Sequence, residues 1–312
     1  MTSTALPRVT VALPVFNGER YLAEALDSIL AQDFEDFELL IGDNGSTDST
    51  LEICRTYADK DDRITLLRSD RNRGAAWNYN RLLEAARGEL FKWVAHDDVY
   101  APQYLGACVG ALDADPSAVL AHSRTRQIDG DGRFLRDIDE DFRLDDPRPH
   151  VRFRQMLVYE GGCYHVFGVI HTDVLRRTEA IGPFAESDRV LLAELAIHGG
   201  FAEVPQALFS HREHGDRSIY RYPARSLAAW FDPRRAQTIG LPVWRLLWEI
   251  LRAVHRSGLP PAERWRCYAE VRHWVGDNWV RLLRNLPGAG LEWLRRRGVQ
   301  LRAAASGAEG TR

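Results

Sequence analysis

Within the first hundred residues, apolar runs of strand composition alternate with helical stretches, and every run stops in a polar turn. The runs are VTVALP (9–14), FELLIG (37–42), Arg63–Leu67 and FKWVA (91–95). Such short, continuous apolar segments are expected of strands covered on both faces. Between them, Leu22, Ala25, Leu26, Ile29 and Leu30 fall at helical spacing within 21–32, Leu51, Ile53, Cys54 and Tyr57 mark a second helix, and 75–87 forms a third. A β-α-β-α-β-α-β order with crossovers of this length predicts an α/β fold: a mostly parallel sheet flanked by helices.

The polar turns then fall along one edge. Asn17-Gly18, DNGSTDST (43–50), RSDRNRG (68–74) and His96-Asp97-Asp98 each follow a strand, at the carboxyl edge where open parallel sheets bind ligands. None is a GxGxxG fingerprint or a GxxxxGK[ST] loop, so dinucleotide and P-loop chemistry lack support. The crevice offers the carboxylates of Asp43, Asp48, Asp97 and Asp98, the Asn17 amide and the Arg73 guanidinium. Acids repel a bare phosphate, so an anionic ligand here implies a divalent cation, Mn2+ or Mg2+. Asp97 and Asp98 end a buried strand, and adjacent side chains converge only where the strand has become a turn. The plain alternative is a solvated turn that starts the next helix.

VALPVFNGERYL, DNGSTDST, NRGAAWNYN and FKWVAHDDVYAP, in this order and spacing, resemble the family-2 glycosyltransferases, inverting enzymes of the GT-A fold. The resemblance covers most of residues 8–115. It implies a sugar donor activated by a nucleoside diphosphate, UDP-, dTDP- or GDP-linked, with contacts from Pro14, Phe16, Asn17, Glu19, Asp43, Arg73, Gly74 and Asp97. Asp43 and the 14–19 loop would hold the nucleoside. His96-Asp97-Asp98 stands where the family carries its DxD element; Asp98 is expected as the direct metal ligand, with Asp97 nearer the ribose or sugar. Two other readings stay open: a sugar nucleotidyltransferase, although PVFNGERYL is not its Gly-rich basic loop, and a catalytically silent sugar-nucleotide-binding module.

Further along, 119–128 reads as a strand, 129–132 as a hairpin-like turn, and the acidic stretch 137–150 as a mobile loop or a surface connection. The segment 161–170 resembles the family's acceptor-site strand, with Gly168 either approached by a ligand or packed under a helix. Ser187-Asp188 begins the helix 189–198 and aligns with the family's general base. Asp188 is therefore expected as the base, with Glu186 as the runner-up; a helix N-cap is the structural alternative for Asp188. At the end of the next strand, His214 is expected to contact metal or diphosphate, and Arg217 a phosphate. Acceptors in this family are glycans, lipid-linked precursors or small molecules.

Composition divides the chain. Residues 1–220 hold 24 Lys and Arg against 37 Asp and Glu, and residues 221–312 hold 17 against 7. The expected division is a GT-A catalytic domain over 1–220, with a donor half at about 8–115 and an acceptor half at about 116–220, then a basic, Trp- and Arg-rich helical extension over 221–302, then a disordered 303–312. In the extension, 242–256 carries Leu247, Ile250, Leu251 and Val254 on one stripe, and 261–286 carries Trp265, Tyr268, Val271, Val275 and Trp279. Packing against the catalytic domain, a homodimer contact and peripheral attachment to an anionic membrane compete for this extension. Nucleic acid is not expected, because the basic residues alternate with core positions. Cys54, Cys108, Cys163 and Cys267 lie far apart without metal-ligand spacing, as in reduced proteins. Without a signal-peptide pattern or a membrane-spanning apolar run, the expected location is cytoplasmic, or peripheral at the inner face of the membrane.

Overall fold

The computed structural model describes residues 6–138, 144–215, 230–233 and 241–286. Arg217, the middle of the acidic stretch (139–143) and the terminal 303–312 lie outside the described residues. All four early strands form: β1 (Val9–Val15), β2 (Phe37–Asp43), β3 (Ile64–Arg68) and β4 (Leu90–Trp93). Helices α1 (Glu19–Leu30), α2 (Thr50–Ala58) and α3 (Ala75–Ala85) connect them. β1 pairs in parallel with both β2 and β4, and β2 with β3. The order is therefore β3-β2-β1-β4. The winding reverses between β1 and β4, which opens a crevice at their carboxyl ends. Every residue of β1, β2 and β4 is buried, the reason these strands are continuously apolar rather than alternating.

The rest of the sheet is mixed. It is built from β5 (Val99–Tyr100), β6 (Ala118–Ile128), β7 (Phe134–Ile138), β8 (Val169–His171) and β9 (Gly200–Arg212), with α4 (Tyr104–Ala114), α5 (Pro149–Val158), the single turn α6 (Thr172–Leu175) and α7 (Ser187–His198) around it. From β4 the order continues β8-β6-β9-β5, and β7 hairpins onto β6. β9 runs parallel to β6 and antiparallel to β5, which returns the chain at 211–214 to the turn that follows β4. The expected acceptor strand at 161–170 is mostly not a strand. Tyr164–Phe167 is a 3-10 turn, and pairing begins at Val169. Gly168 serves packing, since a Cβ there would lie 2.7 Å from the Ala121 carbonyl oxygen of β6.

Two helices complete the described chain, α8 (Pro242–Arg256) and α9 (Pro261–Arg284). Each opens with proline in its first turn, where the missing N–H costs nothing. Leu246, Ile250, Ala253 and Val254 of α8, with Cys267, Val271 and Trp274 of α9, enter one apolar core with Phe153, Met156, Leu191 and Leu195 of α5 and α7. Arg256 reaches Glu194 at 3.0 Å and Glu179 at 3.0 Å, tying α8 to the α7 side. The stripe expected on α9 is displaced. Cys267, Val271, Trp274 and Leu282 form the buried line, while Trp265 and Trp279 face out. Trp265 and Trp279 are two heptads apart, so periodicity alone could not choose between the two neighbouring stripes. No described helix is long and apolar enough to cross a membrane.

β4 also buries a lysine. Lys92 Nζ donates to the Phe167 carbonyl and lies 4.1 and 4.0 Å from the ring centroids of Tyr100 and Tyr104. Burial lowers its pKa from 10.5 to about 7. Between those values the unfolded chain holds a proton that the folded chain lacks, so stability rises with pH, by up to about 1.4 kcal/mol per pH unit from one such group. Lys92→Met is expected to flatten that slope in urea unfolding between pH 7 and 9. An unchanged slope would contradict this account.

Candidate active site

The crevice is assembled by cross-links between the strand-end turns. Asn17, in a left-handed conformation (φ 52°), accepts from the Thr47 N–H at 2.9 Å through Oδ1 and donates its own N–H to Ser46 Oγ at 3.0 Å. Glu19 Oε2 accepts from the Ser49 N–H at 2.8 Å. These two side chains therefore fasten the β1 turn to the β2 turn, a structural duty the sequence reading did not anticipate. Pro14 is buried within β1, opposite Gly42 in register, and Phe16 is half-buried just beyond the strand.

Asp43 ends β2 and is fully buried. Its Oδ1 accepts from the Ser46 N–H at 3.1 Å, and its Oδ2 has no hydrogen-bond partner among the described residues. A buried carboxylate oxygen left unpaired is costly, so it marks where a ligand's donor can bind. Beside it, Arg81 donates to the carbonyls of Asp43 (3.0 Å) and Leu67 (2.9 Å), and burial lowers its pKa to about 10. The Arg73 and Arg81 guanidiniums both lie on the Trp77 ring, 4.7 and 4.4 Å from its centroid. Gly74 has φ 95°, and a Cβ there would lie 2.3 Å from the Phe231 carbonyl oxygen. The donor-side loop is thus covered by residues 230–233, and Gly74 is the residue that admits them.

The adjacent acids after β4 have opposite surroundings. Asp98 is fully buried; its Oδ1 accepts from the Arg212 N–H at 2.9 Å and lies 3.0 Å from His211 Nδ1. Its lone pairs are taken by the end of β9. Asp97 Oδ2 instead meets His214 Nε2 at 2.9 Å. Burial opposes ionisation of Asp97, but His96, the hydrogen bond from His214 and His211 outweigh it, holding the carboxyl well below the usual carboxylate range. His214, expected at metal or diphosphate, thus faces Asp97, while Asp98, expected as the direct metal ligand, holds the turn. Arg212 completes that lock, with Nε donating to the Asp97 carbonyl at 2.9 Å and a guanidinium nitrogen 2.7 Å from Glu24. An arginine at the very end of a strand, between His211 and Glu213, was the available signal for it.

Asp188 is the second residue of α7, so it is not the N-cap. Glu186 holds that place in a left-handed conformation (φ 65°) with no side-chain cap bond. Burial is the largest influence on Asp188 and raises its pKa; the Arg189 N–H, 2.9 Å from Oδ1, and the Arg189 guanidinium pull against it. Glu186 points away and pairs with Arg281 at 3.2 Å and Arg189 at 3.6 Å. Tyr79 links the two sides of the crevice. Burial first, and then the charges of Asp97, Asp98 and Asp188, push its phenol up. Acids from the turn after β4 and from α7 thus act on one buried hydroxyl, although they are far apart in sequence.

A sequence model of the family described as Glycosyl transferase family 2 matches residues 10–178. The Rickettsia typhi protein named uncharacterized glycosyltransferase RT0329 is 32% identical over 142 residues, 45% of this chain and 43% of that protein. The chain matches less than half the length of the curated relatives of this group. Among solved structures, S. aureus TarS 1-349 in complex with UDP-GlcNAc superposes with a TM-score of 0.61 at 19% identity, covering 86% of this chain and 72% of that one. The mannosyltransferase PcManGT from Pyrobaculum calidifontis, in complex with GDP-Man and Mn2+, gives 0.55 at 19% identity, covering 99% and 82%. At these identities the two structures speak for the fold.

Proposed function

Since the chain belongs to glycosyl transferase family 2 and has the GT-A α/β fold, we propose that it is a metal-dependent inverting glycosyltransferase moving a sugar from a nucleoside-diphosphate donor to an acceptor hydroxyl. The observation that carries this reading is the meeting of Asp97 Oδ2 and His214 Nε2 at 2.9 Å on the crevice floor. A carboxylate oxygen and an imidazole nitrogen are both ligand types for Mn2+, and the proton they share is what a cation replaces. No third His, Cys, Asp or Glu completes a cluster among the described residues, so donor phosphate oxygens and water would supply the remaining ligands. The pair fits a divalent cation, and Asp97 with His214 is assigned to it in place of Asp98. When bound, that cation supplies charge neutralisation for the departing diphosphate.

The chain's own groups account for the rest. Asp43 Oδ2 is assigned to a donor N–H of the nucleobase, a group that UDP-, dTDP- and GDP-linked sugars all carry. Arg73 flanks the same turn and is assigned to the donor, as are Phe16 and Gly74 through the loops they shape. Asp188 takes the proton of the acceptor hydroxyl as its oxygen attacks the anomeric carbon opposite the diphosphate, inverting that centre. A carboxylate raised by burial is a better base than an ordinary one. The acceptor is a glycan, a lipid-linked precursor or a small molecule. Residues 1–220 are assigned as the catalytic unit, donor half 8–115 and acceptor half 116–220, and 221–302 as its helical extension.

A panel of UDP-, dTDP- and GDP-linked sugars tests this reading without the acceptor. Slow nucleotide release that needs Mn2+ or Mg2+ is expected for one donor class. No binding and no release across the panel with either metal would sink it.

A further inference from the structure

Helices α8 and α9 bury their inner faces and leave an aromatic outer face bare. They run antiparallel: Trp244 Nε1 donates to the Leu282 carbonyl at 3.0 Å, and the Val243 N–H to Asn285 Oδ1 at 3.3 Å. One turn further along α8 and back along α9, that register brings Trp248 to the level of Trp279. Their exposures are 58% and 57%, with Trp244 at 38% and Trp265, on the Trp279 stripe, at 72%. Exposed indoles gathered on one helical hairpin are unusual for a surface that meets only water.

The exposed charge around them is mostly positive. Arg272 lies midway between Trp265 and Trp279, and Arg284 lies beyond Trp279. Arg264, Arg272 and Arg284 form no ion pair among the described residues, whereas Arg266 and Arg281 are held by Glu263 and Glu186. Asp277 is the exposed acid of α9. A twofold contact between copies sets each surface against itself, which would bring these arginines against their mates with little acid to offset them. An anionic lipid surface has the opposite charge and an apolar boundary layer in which indole rings settle.

We propose that the outer face of α8 and α9, centred on Trp248 and Trp279 and flanked by Arg272 and Arg284, docks on an anionic lipid bilayer. The docking is independent of the glycosyl-transfer assignment. The indoles enter the headgroup boundary while the guanidiniums stay among the phosphates. Added salt weakens the attachment by screening the arginines and leaves the indole contribution.

Flotation of the full chain with vesicles tests this. Binding is expected to phosphatidylcholine vesicles containing about 30% phosphatidylglycerol and to be at least about ten-fold weaker to pure phosphatidylcholine. The double variant Trp248→Glu with Trp279→Glu is expected to lose vesicle binding with its melting temperature unchanged, since both rings are over half exposed. Arg272→Glu with Arg284→Glu alters only exposed side chains that form no ion pair among the described residues and is expected to lower binding to the anionic vesicles at least about ten-fold, from roughly five-fold per arginine. The proposal is overturned if the wild-type chain ignores anionic vesicles, or if both double variants bind like wild type. It is also overturned if light scattering finds a dimer that only the tryptophan variant dissociates while vesicles bind nothing; the face would then meet a second copy.

Discussion

Asp97→Ala is expected to lower sugar transfer about a thousand-fold, about 4 kcal/mol of transition-state stabilisation, because the leaving diphosphate loses its counter-charge. The Mn2+ concentration for half-maximal activity should rise steeply in the same variant, and likewise in His214→Ala. Asp98→Asn is the contrast. Asp98 accepts from the Arg212 N–H and faces His211, so its replacement should cost roughly 1–3 kcal/mol of folding stability while the metal requirement persists. Metal titrations and urea midpoints on the three variants separate the roles. If Asp98→Asn loses metal dependence and Asp97→Ala keeps it, the pairing of Asp97 with His214 is not the metal site.

Asp188→Asn should reduce kcat about 10²- to 10⁴-fold, the range for removing a positioned general base. Donor affinity and metal requirement should be unchanged, because the amide oxygen can still accept from the Arg189 N–H and the metal is assigned to other residues. The pH profile adds a second readout. Burial raises the Asp188 pKa, so the base is protonated, and transfer is lost, on descending to a pH where an exposed aspartate is still ionised. That acid limb should disappear from the residual activity of Asp188→Asn. Near wild-type turnover in the variant would remove Asp188 from the reaction and return Glu186 to consideration, despite its ion pairs with Arg281 and Arg189.

The first four strands and their helices were legible because local patterns coincide there with long-range structure. VTVALP, FELLIG and FKWVA are buried on both faces, so hydrophobicity alone marks them as strands, and each turn follows its strand directly. The limits came where contacts reach across the chain. Nothing near Asp97 and Asp98 in sequence tells which one turns inward, since the decision lies with Arg212 and His211 at the end of β9, more than a hundred residues on. That Asn17 and Glu19 also fasten the β1 turn to residues 46–49 follows from contacts about thirty residues on, which the local sequence does not show. At 161–170 the resemblance to the family's acceptor-site strand suggested a strand, but the chain turns in a 3-10 helix before it pairs. The helices of the extension were predicted nearly to the residue from Pro242 and Pro261. The buried face of α9 was not, because tryptophan suits a core and an interface equally well.

The shared core of α5, α7, α8 and α9 means that the two ends of the reaction machinery cannot be cut apart. Trp274, Ile250 and Leu246 fill the same apolar space as Met156, Leu191 and Leu195, and α7 carries Asp188 at its first turn. Truncation near residue 220 would therefore uncover the underside of the helix that carries Asp188, the proposed base. The protein should melt in a single transition, and exchanging the hairpin for that of a relative would require matched changes on α5 and α7.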